Sequence, residues 1–219
     1  MRLLSKHQKP KVLIDNAAMW TKMYCECLAS GQEPDKDLAT KYNHPEIKQA
    51  LEDETHGKCA YCESKIRHIS YGDIEHILPK NKDARPELYV EWSNLTLSCE
   101  QCNRSGKRTY YNPQLPLINP YNDDPEKNFQ AIGPLVYGLG ANKRAYATEK
   151  TLKLNRSSLV IQRTERIDKV NSLLYIWENE EHSDMKDIVE SQLHEEYGED
   201  KEYSFVIKWF LAARNFPVK

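Results

Sequence analysis

The apolar positions of this chain recur at the helical period at both ends and lose that rhythm in the middle. Asp15 is a candidate N-cap for a first helix in which Ala18, Met19 or Trp20, Met23, Cys27 and Leu28 share one side, with Gly31 as its stop. Residues 31–44, holding Gly31, Pro34 and Asn43, read as a loop. Pro45 then stands at the favoured first position of a second helix with an apolar side of Ile47, Ala50 and Leu51, ended by Gly57. From 58 to 112, short apolar runs such as Ile74, Ile77 and Leu78 lie between turn signals, which predicts a small strand-and-turn module followed by a helix. Five prolines and three glycines between Asn112 and Gly140 predict an irregular segment with a short hairpin, a wrapping linker rather than core. Beyond it, Asn155 is a candidate cap for a long helix carrying Leu159, Ile167, Val170, Leu174 and Trp177. Met185, Ile188, Val189 and Leu193 predict another helix, and Phe205, Val206, Trp209 and Phe210 a last one ending before Pro217. The pattern predicts an α+β, mostly helical fold in four stretches: helices over 1–57, a compact core over 58–112, a linker segment over 113–150 and helices over 151–219.

Composition narrows the class. The 219 residues are 39% hydrophobic and 29% charged, polar but globular, and long enough for one large or two small domains. No apolar run approaches the roughly 18 residues of a membrane span. The first residues, Met1 to His7, lack the apolar centre of a signal peptide, so a cytoplasmic protein is expected. A net charge of −2 argues against a polyanion as partner only on average. Residues 143–169 carry 8 Lys+Arg against 3 Asp+Glu, and residues 178–202 carry 2 against 11. Such segregation suits a nucleic-acid track and a separate docking face, and equally suits two solvated helix faces.

The six cysteines supply the first chemistry. Cys59 and Cys62 form one C-x-x-C pair and Cys99 and Cys102 another, the spacing at which two tight knuckles hold one tetrahedral Zn²⁺. The 36 residues between the pairs exceed the usual ribbon spacing, so the intervening chain is expected to be a structured insert closed by the metal. Cys25 and Cys27 fall outside this scheme and read as free, partly buried thiols.

The insert contains Gly72-Asp73-Ile74-Glu75-His76-Ile77-Leu78-Pro79-Lys80, then Glu91-Trp92-Ser93-Asn94-Leu95. The second cysteine pair runs on into Asn103-Arg104-Ser105-Gly106-Lys107. In this order the residues resemble the HNH endonucleases with their ββα-metal core. Cys59-Ala60-Tyr61-Cys62-Glu63, Ile118-Asn119-Pro120-Tyr121-Asn122-Asp123-Asp124-Pro125 and Leu154-Asn155-Arg156 are similar to the PtuB family, the HNH subunits of Septu anti-phage systems, some of which accompany retrons. The resemblance implies His76 as general base and Asn94 as the residue that holds its loop. Glu75 and Asn103 are then ligands of a catalytic Mg²⁺ or Mn²⁺. Glu stands where Asp is commoner, so Asp73 is a rival or additional ligand. It further implies an ABC-type ATPase partner of PtuA type, and for retron-linked members a reverse transcriptase with its DNA.

Physical chemistry adds a condition. Adjacent side chains on a regular strand face opposite ways, so Glu75 and His76 can serve one site only where the strand ends, and Pro79 agrees with such an end. A divalent ion on one carboxylate and one amide oxygen retains positions for water and phosphate, while four thiolates leave none. Lys80, Lys82, Arg104, Lys107 and Arg108 can contact phosphates or simply be surface charge, and Arg156, Arg163 and Arg166 can extend the track. Tyr110 and Tyr111 can stack on an unpaired base or pack in the core. The leading expectation is an HNH endonuclease acting on nucleic acid, DNA ahead of RNA. Its alternatives are an RNase acting on transfer RNA in a retron-linked system and a zinc-binding adaptor without catalysis.

Overall fold

The fold, a computed structural model, describes residues 1–66 and 72–218. Helix α1 (Lys11–Ala29) starts at Pro10 rather than at Asp15, which is exposed and one turn inside. Its buried stripe is Leu13, Trp20, Tyr24 and Leu28, while Ile14, Met19 and Met23 face solvent. The stripe keeps the expected Trp20 and Leu28 and takes Leu13 and Tyr24 rather than Met19 and Met23, the positions that share one face with them at the helical period. A short helix α2 (Lys36–Ala39), capped by Asp35, interrupts the expected loop. Helix α3 (Pro45–Glu54) follows with Pro45 in its first turn, and Ile47 and Leu51 are fully buried.

The module at the centre is small. Strand β1 (Asp73–His76) pairs antiparallel with β2 (Leu95–Ser98), placing His76 opposite Leu95 and Asp73 opposite Ser98. Helix α4 (Glu100–Cys102) continues as a single π-helical stretch, Asn103–Lys107. Gly106 allows this wall to lie against the backbone of Thr151 and Leu152, where an added Cβ would stand 3.1 to 3.3 Å from their main-chain atoms.

Residues 113–150 do more than wrap. After α5 (Pro125–Asn128), strands β3 (Phe129–Ile132) and β4 (Leu135–Gly138) form the expected hairpin. Phe129, Val136 and Ile118 are at most 1% exposed, inside the core that also holds Tyr61, Leu97, Leu152 and Phe205. The expected linker is therefore core, since a few apolar residues between prolines suffice when neighbouring elements cover them. Helix α6 (Lys143–Thr151) precedes α7 (Ser157–Asn179). Asn155 does not cap α7; its amide accepts from Val136 N at 2.9 Å and donates to Val136 O at 2.8 Å, completing the edge of β4. Helices α8 (Ser183–Glu196) and α9 (Ser204–Ala213) close a second cluster around Val170, Leu174, Leu193 and Leu211.

Two polar clamps tie the ends of the chain to the module. Glu63 accepts from Ser204 Oγ at 2.9 Å and Phe205 N at 3.1 Å, satisfying the start of α9 from outside, and it also meets the Met1 ammonium. Lys6 pairs with Glu54 at 2.8 Å and lies over the rings of Trp92 and Tyr121, at 4.1 and 4.4 Å from their centroids.

Candidate active site and metal centre

The two C-x-x-C pairs meet. Ala60 N donates to Leu97 O at 2.9 Å, docking the first knuckle on β2, and Cys102 N donates to Cys99 O at 3.1 Å to shape the second. The sulfurs of Cys59, Cys62, Cys99 and Cys102 all lie within 4.8 Å of one another, and Cys62 Sγ is 3.8 Å from Cys99 Sγ. A tetrahedron with metal–sulfur bonds of about 2.3 Å has edges of about 3.8 Å, so the cluster can hold one zinc ion. Three of these cysteines are buried, and all six in the chain are free thiols. The guanidinium of Arg156 reaches Cys102 Sγ at 3.6 Å and the sulfurs of Cys62 and Cys99 at 3.8 Å. Burial opposes its charge, but the Cys102 and Cys62 sulfurs outweigh that and raise its pKa.

β1 ends at His76, as a shared site for two adjacent residues requires. Glu75 and His76 line one cleft of ≈ 550 Å³ with Glu33, Lys80, Lys107 and Arg108. His76 Nε2 lies 2.7 Å from the carbonyl oxygen of Tyr89. A carbonyl only accepts, so Nε2 carries the proton and Nδ1 keeps the lone pair. Burial pushes the His76 pKa down to about 3, against the Tyr89 contact and with help from Lys80 and Lys107, so the ring is neutral at physiological pH. Tyr42 meets the imidazole edge-on at 4.7 Å between centroids.

Glu75 is 4% exposed. Burial raises its pKa and the Asp73 carboxylate adds to this, while Lys107 opposes both. Its Oε1 lies 2.6 Å from Lys107 Nζ but has no aligned hydrogen-bond donor. Lys107 instead donates to His76 O at 2.8 Å. Lys107 is thus a buried cation beneath the site, 3% exposed, and not the surface phosphate contact the sequence suggests. Asn103 donates from Nδ2 to Asp73 Oδ2 at 3.2 Å, and Arg104 grips the same carboxylate at 3.0 and 2.7 Å. Asp73, Glu75 and Asn103 therefore line one side of β1, with Asp73 contacting Asn103 directly. Asn94 accepts from Leu78 N at 2.8 Å and donates to Leu78 O at 2.9 Å and Leu88 O at 3.3 Å, stapling the chain after His76 to the chain before Tyr89.

The expected basic track along α7 is not one. Arg156 serves the sulfurs, and Arg163, 1% exposed, donates to Leu154 O at 2.8 Å and Pro134 O at 3.2 Å. Arg166 is bound to Glu196. Lys82 and Arg108 remain exposed, while Tyr110 and Tyr111 are half-buried, with Tyr110 Oη donating to Leu115 O at 2.9 Å. Sequence reasoning missed Tyr89, Tyr42, Glu63 and the Arg156 contact. Tyr89 acts through its main-chain carbonyl, which leaves no side-chain signature.

Residues 59–108 match the family model for HNH endonucleases. The chain is 33% identical to Septu protein PtuB of Bacillus thuringiensis over 182 residues, 80% of this chain and 65% of that protein. It is 28% identical to Septu protein PtuB of Bacillus mycoides, over 68% of this chain and 64% of that protein. A Retron Vc95 HNH protein of Vibrio cholerae is 29% identical over 138 residues, 57% of this chain and 63% of its own length. The chain thus spans just under two thirds of the length of the curated relatives it matches. No solved structure gives a significant match. Residues 59–108 are an HNH endonuclease domain, set in a chain homologous to Septu protein PtuB over most of its length.

Proposed function

We propose that this chain is a metal-dependent endonuclease that hydrolyses phosphodiester bonds of nucleic acid in anti-phage defence. The observation that carries the reading is the imidazole of His76: neutral, fixed at Nε2 by the Tyr89 carbonyl so that Nδ1 keeps its lone pair, in the cleft that the buried Glu75 also lines. As general base, Nδ1 takes a proton from the attacking water, and the imidazolium formed is held by the Tyr89 carbonyl on its other nitrogen. Asn94 keeps the strand end and the Tyr89 segment in register, so the base does not reorient during the reaction.

The donor set suits a hard cation. Glu75 Oε1 is a buried acceptor without a hydrogen-bond donor, and Asp73 and Asn103 add oxygens on the same side. Glu75 and Asn103, with Asp73 as a further ligand, are the residues that would hold Mg²⁺ or Mn²⁺. Such an ion, when bound, supplies charge stabilisation to the phosphate and the departing 3′ oxygen. Any cation on Glu75 Oε1 competes with the Lys107 ammonium. The four cysteines are assigned to Zn²⁺ with a structural role, because their thiolates leave no open position.

The likeness to Septu PtuB proteins supports a defence role with a defence-system partner. The partner proposed is the ATPase of PtuA type that the resemblance implies, with the acidic stretch 178–202 as its docking face. A second reading, implied by the resemblance to retron-linked members, is an RNase acting on transfer RNA with a reverse transcriptase nearby; a retron HNH protein is among the relatives. Incubating the full chain, alone and with its ATPase partner, with plasmid and total RNA in Mg²⁺ or Mn²⁺ tests both. Cleavage that vanishes in His76→Ala while zinc content persists is the expected result. If wild-type and His76→Ala protect cells equally and neither cuts, the reading fails.

A further inference from the structure

Lys80 follows β1 by four residues, and its ammonium stands in the same cleft as His76 and Glu75. It lies 4.9 Å from the ring centroid of Tyr24 and 5.4 Å from those of Tyr42 and Tyr89. It also donates to Tyr24 Oη at 3.1 Å. The rings are themselves fixed. Tyr24 and Tyr89 stack at 4.1 Å with planes 10° apart, Tyr89 Oη accepts from Lys41 N at 3.0 Å and donates to Leu38 O, and Tyr42 abuts His76. One lysine is thus caged by aromatic faces from α1, from the α2–α3 connection and from the segment whose carbonyl orients the base.

The charge state of the neighbours makes the cage informative. Arg104 is paired with Asp73, Lys107 with Glu75 and Arg85 with Glu87. Among the described residues no carboxylate lies within ion-pairing distance of Lys80. A stack of neutral phenols can orient an ammonium through the ring quadrupole without neutralising it. The Glu33 carboxylate of the same cleft acts on Lys80 only from beyond ion-pairing distance, so this partly desolvated ammonium is left to partner an anion.

We propose that Lys80 is a phosphate-binding cation of this site, held in place by Tyr24, Tyr42 and Tyr89, and that α1 is thereby part of the substrate site. The inference rests on the nuclease reading for its substrate, a nucleic-acid backbone. It assigns to the N-terminal helix a role outside the 59–108 match: Tyr24 presents the ammonium. Among the basic residues near the cleft it selects the caged one over Arg104 and Lys107, whose charges are already matched.

The test is metal-free binding of the full-length chain to a labelled oligonucleotide across a range of salt, with melting temperature and zinc content measured alongside. Lys80→Met is expected to weaken binding about tenfold and to reduce the dependence of log affinity on log salt by about one. Tyr24→Phe, which keeps the ring and the ammonium but removes the hydroxyl acceptor, is expected to give a smaller loss in the same direction at unchanged melting temperature. Unchanged affinity and salt slope in a folded Lys80→Met protein overturn the proposal, because a lysine that only supports the tyrosines alters melting alone. Where Lys80→Met itself melts early, Tyr24→Phe decides: weaker binding supports the role and unaltered binding overturns it. Binding without metal reads Lys80 whether or not the wild-type chain cuts, so failure of the nuclease reading shows separately as a chain that binds but never cleaves.

Discussion

Arg156, the N-cap residue just before α7, stands with its guanidinium 3.6 Å from the sulfur of Cys102. The same group reaches Cys62 and Cys99, so one side chain touches three of the four sulfurs. Four thiolates around Zn²⁺ carry a net charge of −2, and a cationic donor disperses it while anchoring the longest helix to the metal knuckles. Arg156→Leu is expected to lower stability by roughly 2 kcal/mol, as for a lost hydrogen bond to a charged group, and to speed metal loss to a chromophoric chelator. Arg156→Lys, a point charge that cannot fork across several sulfurs, should fall between. Zinc release and thermal melting measured together check both.

The depressed His76 pKa makes a statement about pH. The unfolded ring titrates near 6.5 and the folded one near 3, so the unfolded chain binds the extra proton between those values. The neutral folded ring therefore costs stability increasingly as pH falls from 6.5 towards 3, and nothing above that window. In catalysis the base is already deprotonated at pH 5, and the cleavage rate should show no His76 ionisation near 6.5. An acidic limb centred there in the wild-type chain would contradict this, whereas relieving the burial of His76 is expected to introduce one.

Asn94 is 5% exposed and makes three hydrogen bonds to main-chain groups of Leu78 and Leu88. Asn94→Ala strands those groups and is expected to cost about 3 kcal/mol. If the staple also orients the base, the rate falls further than the loss of folded protein explains, with substrate affinity nearly unchanged. Single-turnover rates corrected for the folded fraction give the comparison.

Arg163 and Arg108 should separate structure from binding. Arg163→Met breaks two bonds to main-chain carbonyls, that to Leu154 buried, and is expected to lower the melting temperature while leaving the salt dependence of nucleic-acid binding unchanged. Arg108, exposed at the cleft rim, should do the reverse when changed to Ala. Melting and salt-titrated binding on the two variants check the assignment.

What the sequence disclosed followed from how each residue acts. The cysteine pairs were legible because thiolate spacing is itself the metal geometry. His76 at a strand end was legible because alternation demanded an end there. Both terminal helical regions were visible in their periodicity, yet the face of α1 was only partly read, because Tyr24 rather than Met23 lies on the buried side with Trp20 and Leu28. Arg156, Arg163 and Arg166 read as a basic stripe, since a linear count cannot distinguish a solvated guanidinium from one used against sulfur, carbonyl or carboxylate. Tyr89 was out of reach because its contribution is a carbonyl that every residue possesses.

Lys6 reaches Glu54 on α3 and the rings of Trp92 and Tyr121, while the Trp92 indole donates to His7 O at 2.9 Å. A fragment trimmed to residues 59–108 would lose Lys6, Glu54 and Tyr121 together, and with them the cover over the β2 side of the module. Grafting this nuclease onto another scaffold therefore calls for transplanting its flanks as well, because the portion that family comparison recognises is not the portion that is self-sufficient.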